Sequence, residues 1–279
     1  MSLKTYFLTS EIIPFAETTS LAHFSKFVPI RLQEHEHDIR LTAPKYGFIS
    51  ERKYILREVI RLRKIECQMR DEVLVASAKS AFIPQTRVQV YFMEHDRWFQ
   101  PLNPLLYKSR NGRPLADNGD RFAFFSKTSL SMLTHLFWRP NVVICNNWQS
   151  AFVPILYTQL YAEQEFYQDI KTVQIIHSLD AYGQVSREIY DKLGVSLPED
   201  TPENEVNVLA VASLFADLVI VVDDASGTLG KELSRDSHFQ SIQDKVAGKQ
   251  VSIVCEDTSQ DNYNVVADEI HRILQHRFV

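Results

Sequence analysis

Hydrophobic positions along the chain switch repeatedly between two spacings. Short apolar runs at 4–9, 38–43, 142–145, 171–176 and 217–222 are strands buried on both faces. Between them, apolar residues recur every three or four positions, as in Leu21, Phe24, Val28 and Leu32, which predict a helix over 20–34 with a kink at Pro29. The same spacing predicts helices over 117–137, with Asp117 as cap, and over 149–163 and 204–216. Residues 54–93 alternate apolar and polar in short runs and predict a β-rich excursion ending in a return strand. Residues 95–114, rich in aromatics and proline, predict a loop, as does Pro198–Glu203. A helix over 237–247, a strand over 250–254 and a helix over 262–275 complete the chain as a closing β–α tail. Strands alternating with helices predict an α/β fold, a Rossmann-like parallel sheet flanked by helices, as a single domain over 4–279.

Composition narrows the picture. A chain of 279 residues with 45% hydrophobic content buries a large core, and a net charge of −5 with mixed signs is not the footprint of a nucleic-acid binder. The basic run Arg57–Lys64 reads as a solvated strand face. No apolar stretch reaches the ~18 residues of a membrane span, and the N-terminal apolar strand is too short for a secretory signal. Cys67, Cys145 and Cys255 are odd in number and widely spaced. They suggest neither a disulfide framework nor a metal knot, and fit a reducing cytoplasm.

The loop between the first strand and the first helix, Ser10–Ser20, occupies the place where α/β folds bind phosphate. A phosphate cradle needs glycines for close backbone approach, and a cation. This loop offers Glu17, Thr18, Thr19 and Ser20 instead, with no Gly, Lys or Arg. No nucleophile motif or metal-ligand spacing stands out elsewhere; Asp223-Asp224, after a strand, reads as a helix cap.

Five segments carry a resemblance to bacterial glycogen and starch synthases. Ser10, Glu11, Pro14, Phe15, Ala16, Thr18, Leu21 and Ala22 match that family's S-E-x-x-P-F-A-K-T-G-G-L-A-D. His37–Gly47 is similar to G-H-D-V-R-V-x-x-P-x-Y-G, and Asp117–Ser126 to D-N-x-x-R-F-x-F-F-S. Asn146–Ala151 stands where the family has H-D-W-H-x-A, and Thr172–Leu179 resembles T-V-x-T-I-H-N-L. Order and spacing hold over residues 4 to 235. The resemblance implies the N-terminal half of a GT-B enzyme, which moves glucose from ADP-glucose to an α-1,4-glucan with retention.

It also implies roles. Glu17 replaces a lysine that contacts phosphate, Thr19 and Ser20 replace two glycines, and His23 replaces an aspartate near the sugar. Opposite charge converted to like charge ~5 Å away costs up to about 6 kcal/mol at an effective dielectric of ~20. Asn146, Asn147 and Gln149 replace His, Asp and His; amides still hydrogen-bond a sugar but transfer no protons near neutral pH. His177 matches a sugar-contacting histidine, Ser178 replaces its neighbouring asparagine, and Tyr107 stands near a sugar-contacting tyrosine.

The expected substrate-binding set is therefore His177, Ser178, Tyr107, Asn147, Thr18 and Ser20, with no catalytic residue, no metal and no cofactor. The leading expectation is a non-catalytic relative that binds carbohydrate or a protein. The alternatives are half of a split glucosyltransferase that works with a separate C-terminal domain, and an unrelated small-molecule enzyme built on His177 and Asp180. Expected partners are α-glucan, weakly held ADP-glucose, and a protein partner or second copy on the uncovered cleft face. Nucleic acid and membrane are not expected partners.

Overall fold

The computed structural model describes residues 2–100, 105–199 and 201–279. The strands are β1 (Lys4–Leu8), β2 (Asp38–Pro44), β3 (Arg57–Glu58), β4 (Ile65–Gln68), β5 (Val73–Phe82), β6 (Gln89–Glu94), β7 (Val142–Asn146), β8 (Lys171–Ile176), β9 (Gln184–Ser186), β10 (Glu205–Asn207), β11 (Leu218–Asp223) and β12 (Gln250–Val254). The α-helices are α1 (Leu21–Glu34), α2 (Glu51–Tyr54), α3 (Asn118–Leu136), α4 (Val153–Leu156), α5 (Glu188–Leu193), α6 (Val208–Phe215), α7 (Thr228–Arg235), α8 (Ser237–Val246) and α9 (Gln260–Phe278).

Seven parallel strands run in the order β12-β11-β8-β7-β1-β2-β6. This is the doubly wound order of a Rossmann-like sheet, which reverses beside β1. The near-continuous apolar strands follow from burial on both faces: Tyr6, Phe7, Leu8, Val143, Ile144, Val173 and Ile175 have no exposed surface. The β-rich excursion is not a separate unit. Its last strand, β6, joins the parallel sheet beside β2, and β5 extends it antiparallel, with β3 and β4 pairing along β5. The basic run lies there as exposed pairs, Arg63–Glu58 and Lys64–Glu66, with Arg61 over the Phe137 ring.

Two helical expectations are corrected, and a third helix is added. The predicted helix over 149–163 is a 3-10 turn (Trp148–Ser150), then α4, then a π turn (Tyr157–Tyr161). Pro154 in its first turn removes a backbone donor, and the Thr158 hydroxyl bonds back to the Pro154 carbonyl, so one regular ladder does not form. The predicted helix over 204–216 starts only at Val208, because Glu205–Asn207 pairs with β9 and the Asn207 side chain accepts from the Leu209 N–H. Helix α7 has no predicted range, although Asp223-Asp224 reads as a helix cap, and that cap is found. The first-turn amides of α7, Leu229 and Gly230, donate to the Asp223 carboxylate at 2.9 and 2.7 Å.

Helix α1 continues through Pro29, and α9 lies against it. Tyr263, Val266, Ala267, Ile270 and Leu274 form the buried stripe of α9.

Candidate functional site

The parallel strands β1, β7 and β8 end side by side, and the loops that follow them meet at the point where the strand order reverses. Open α/β sheets bind ligands at this place. The Ser10–Ser20 loop is held from within. The Glu11 carboxylate is fully buried and accepts from the Thr18 N–H, the Thr19 N–H (3.1 Å) and the Thr19 hydroxyl (3.1 Å). These are the amides that a phosphate at this loop would use, and an internal anion already takes them. Ser20 stands at the helix N-cap, but its side chain makes no capping bond.

Glu17 and His23 meet across this loop, Oε1 to Nε2 at 2.8 Å, with side chains 59% and 34% exposed. Two replacements that the sequence presents separately thus form one pair. Its exposure also lowers the electrostatic cost estimated above, since water screens a solvated charge several-fold better than the protein interior does.

Tyr107 is buried rather than open to a ligand. Its hydroxyl lies 2.7 Å from both the Ser10 hydroxyl and the Glu11 carboxylate, so it donates to the carboxylate and accepts from Ser10. Burial, then the Glu11 charge, holds its pKa well above the usual tyrosine value. The Tyr107 ring meets Trp148 edge-on at 5.4 Å, behind the loop.

The polar corner is built by the turns after β7 and β8. Asn147 has φ 53° and ψ −165°, a backbone region that only glycine adopts without strain. Its side chain bridges the two turns: Nδ2 donates to the Ser178 hydroxyl (3.0 Å) and Oδ1 accepts from the His177 N–H (3.3 Å). Ser178 donates onward to Asp180 at 2.8 Å. Asn146 donates to the Leu8 carbonyl, which ties β7 to β1. The Asn146 and Gln149 side-chain oxygens, the Trp148 indole N–H and His177 Nε2 are buried with no hydrogen-bond partner.

His177 lies edge-on against Phe24 at 4.4 Å, and burial lowers its pKa from 6.5 to about 3. It is a neutral imidazole at physiological pH. The corner therefore offers amides, a hydroxyl, a neutral imidazole and one carboxylate. That set can hydrogen-bond a neutral polyol, whereas general acid–base catalysis needs a group that titrates near the working pH.

The structure thus joins Asn147, Ser178 and His177 in one network, leaves Thr18 and Ser20 on the neighbouring loop, and puts Tyr107 in the wall behind it. Sequence reading missed the bracing role of Glu11; its place two residues after a strand, facing a run of loop amides, was the available signal. Thr258, from the tail, lies in the same shallow depression as Glu17, Thr18, Thr19, Ser20 and His23. Nothing local in the sequence pointed to it. Among the described residues no group of three or more His, Cys, Asp or Glu could hold a metal ion, and no helix is long and apolar enough to cross a membrane.

The model of the starch synthase catalytic domain matches residues 4–241. Glycogen synthase of Pelodictyon phaeoclathratiforme is 29% identical over 298 aligned residues, covering 96% of this chain and 60% of that protein. Glycogen synthase of Chlorobium limicola is 31% identical, covering 78% and 45%. The chain thus spans about half the length of these relatives. Among solved structures, the catalytic domain of starch synthase IV from Arabidopsis thaliana, bound to ADP and acarbose, superposes with a TM-score of 0.76 at 19% identity, over 91% of this chain and 52% of that one.

Proposed function

The chain belongs to the starch synthase catalytic domain family, and on that premise we propose that it is a member without glucosyl transfer of its own, whose polar corner recognises carbohydrate. The observation that carries this reading is the Glu17–His23 pair, an anion paired with an imidazole where the family motif places a lysine and an aspartate. The amides at 146, 147 and 149 support it, because none of them moves a proton near neutral pH. So does the neutral His177, a donor or acceptor for a hydroxyl but not an acid.

Isothermal titration with ADP-glucose, ADP and a maltooligosaccharide, side by side, tests the proposal. Heat with the glucan alone is the expected result. Micromolar binding of ADP-glucose, or glucosyl transfer from it by the purified chain, overturns it.

A second reading has its own support in the share of the relatives that the chain spans. In that reading the chain is one half of a glucosyltransferase and transfers glucose only together with the other half of the catalytic unit. Its signature is transfer activity that appears only when the two are mixed.

A further inference from the structure

Three histidines and one aspartate lie where α9 crosses the end of α1. The Leu3 N–H donates to His37 Nδ1 at 3.1 Å, so that nitrogen carries no proton. His37 Nε2 lies 2.8 Å from His271 Nδ1, and with Nδ1 already an acceptor, Nε2–H must be the donor. His271 Nδ1 is then bare as well. His35 stacks flat on His271, centroids 4.2 Å apart and planes 9° apart, and its Nε2 reaches Asp268 at 2.6 Å. Asp268 also takes two bonds from Arg31, at 2.7 and 3.1 Å.

A proton added to His37 Nδ1 meets the Leu3 N–H head-on. A proton added to His271 Nδ1 meets the His37 N–H. Either ring can charge only by breaking a bond that joins α9 or β1 to the segment after α1, and a cation at His37 or His271 then faces its neighbouring imidazole. Two arginines on these helices are already paired, Arg31 with Glu34 and Asp268, and Arg272 with Glu269. Asp268 faces His35 and also acts on His271, favouring its charged form, whereas the His37 shift has no carboxylate among its causes.

This junction is mechanically joined to the candidate site. Two turns before His271, Tyr263 stacks on Phe27 at 6.2 Å, meets Phe24 edge-on at 5.9 Å and donates to the Ser20 carbonyl at 3.3 Å. Phe24 is the ring that packs on His177.

We propose that His37 and His271 form a proton-operated clasp, which frees α9 from α1 on acidification and uncovers the Phe24–His177 wall. The clasp rests on packing within the chain and stands whether or not the corner binds carbohydrate. Burial, then the His271 charge, lowers the His37 pKa from 6.5 to about 4. A base with a depressed native pKa supports the closed form above its unfolded value and loses that support as pH falls from 6.5 toward 4. From pH 7 to 5 the opening equilibrium should shift about 20-fold on this group alone.

Hydrogen exchange of the full chain between pH 4.5 and 7.5, corrected for intrinsic rates, reads that shift directly. The expected result is a 10-fold or greater loss of protection over 260–278 between pH 7 and 5, while β7 and β8 stay protected. The His37→Gln chain, which lacks the group that carries this shift, should lose at least fivefold less protection over the same range. Should that variant fold poorly, long-range 15N–1H spectra of the wild-type imidazoles provide a second measurement, with His37 protonated at Nε2 only at pH 7. Protection of α9 that is independent of pH, a variant that titrates like the wild type, or a His37 proton on Nδ1 each overturn the clasp.

Discussion

Glu17 and His23 exchange the polarity of a cation–anion pair without abolishing the pairing, and this decides what their substitution should do. Glu17→Lys alone leaves a cation beside His23. Glu17→Lys with His23→Asp rebuilds an ion pair of the opposite sense, and should strengthen ADP binding about tenfold or more at low salt, with the gain fading at high salt. An unchanged titration would mean that Thr19 and Ser20, whose Cβ atoms restrict backbone approach, keep phosphate out regardless of charge. Asn147 offers a second test. It combines a strained backbone with two side-chain bonds, so Asn147→Ala should cost about 2 kcal/mol, read as a lowered denaturant midpoint. Both replacements were legible from motif position. The pairing of Glu17 with His23 was not, because a separation of six residues across a loop and a helix start implies no contact until the backbone path is known.

Elements were legible wherever their periodicity was strong. Strands β1, β2, β7, β8, β11 and β12 and helices α1, α3 and α9 fall within three residues of their expected ends. The failures have local causes: the proline and back-bonding threonine that break up 149–163, and the strand pairing that delays α6. Helix α7 escaped because only Leu229 and Leu233 are buried in it, too few to define a stripe. Its stability rests instead on the Asp223 carboxylate, which accepts from three backbone amides. Asp223→Ala should therefore cost about 1–2 kcal/mol and show as faster hydrogen exchange confined to 224–235. Helix α3 packs against α5 through Gly119, where an added Cβ would sit 2.2 Å from Ile189 Cδ1 and 3.2 Å from Val185 Cγ1. Gly119→Ala should destabilise by roughly 1–3 kcal/mol, with part recovered by Ile189→Val, since the closest clash is with the end of a movable side chain. Equal Tm values for the single and double variants would refute that account.

At the scale of the whole molecule, the last strand and helix support the sheet at one edge and α1 on one face. Removing residues 249–279 would strip β12 from β11 and expose the apolar surface of α1 that now meets Tyr263 and Val266. That truncation should aggregate; a soluble, cooperatively folding product would show that the tail is an accessory. Acid stability is also a property of the whole, because burial of His177 comes from β8, α1 and the loops together. Its native pKa of about 3 lies below the unfolded 6.5, so its contribution is complete above 6.5 and lost as pH falls toward 3. Tm should decline across that window, and less steeply in His177→Asn.

The sequence by itself determined the α/β class, the run of buried parallel strands and the family, because strand periodicity and motif order are one-dimensional properties that survive without coordinates. It also showed that the first loop lacks the chemistry of a phosphate cradle, since residue type alone settles the absence of glycine and cation. Tertiary structure decided which groups remain available. Tyr107 is a wall residue because its hydroxyl is taken by Ser10 and Glu11, which lie almost a hundred positions away in the chain. The loop amides are occupied because Glu11 folds beneath them, and the histidines after α1 and on α9 become one cluster because the chain returns more than two hundred residues later to the same face. Burial and hydrogen-bond occupancy are set by neighbours in space, and in a doubly wound sheet those neighbours are supplied by strands and helices far apart in sequence.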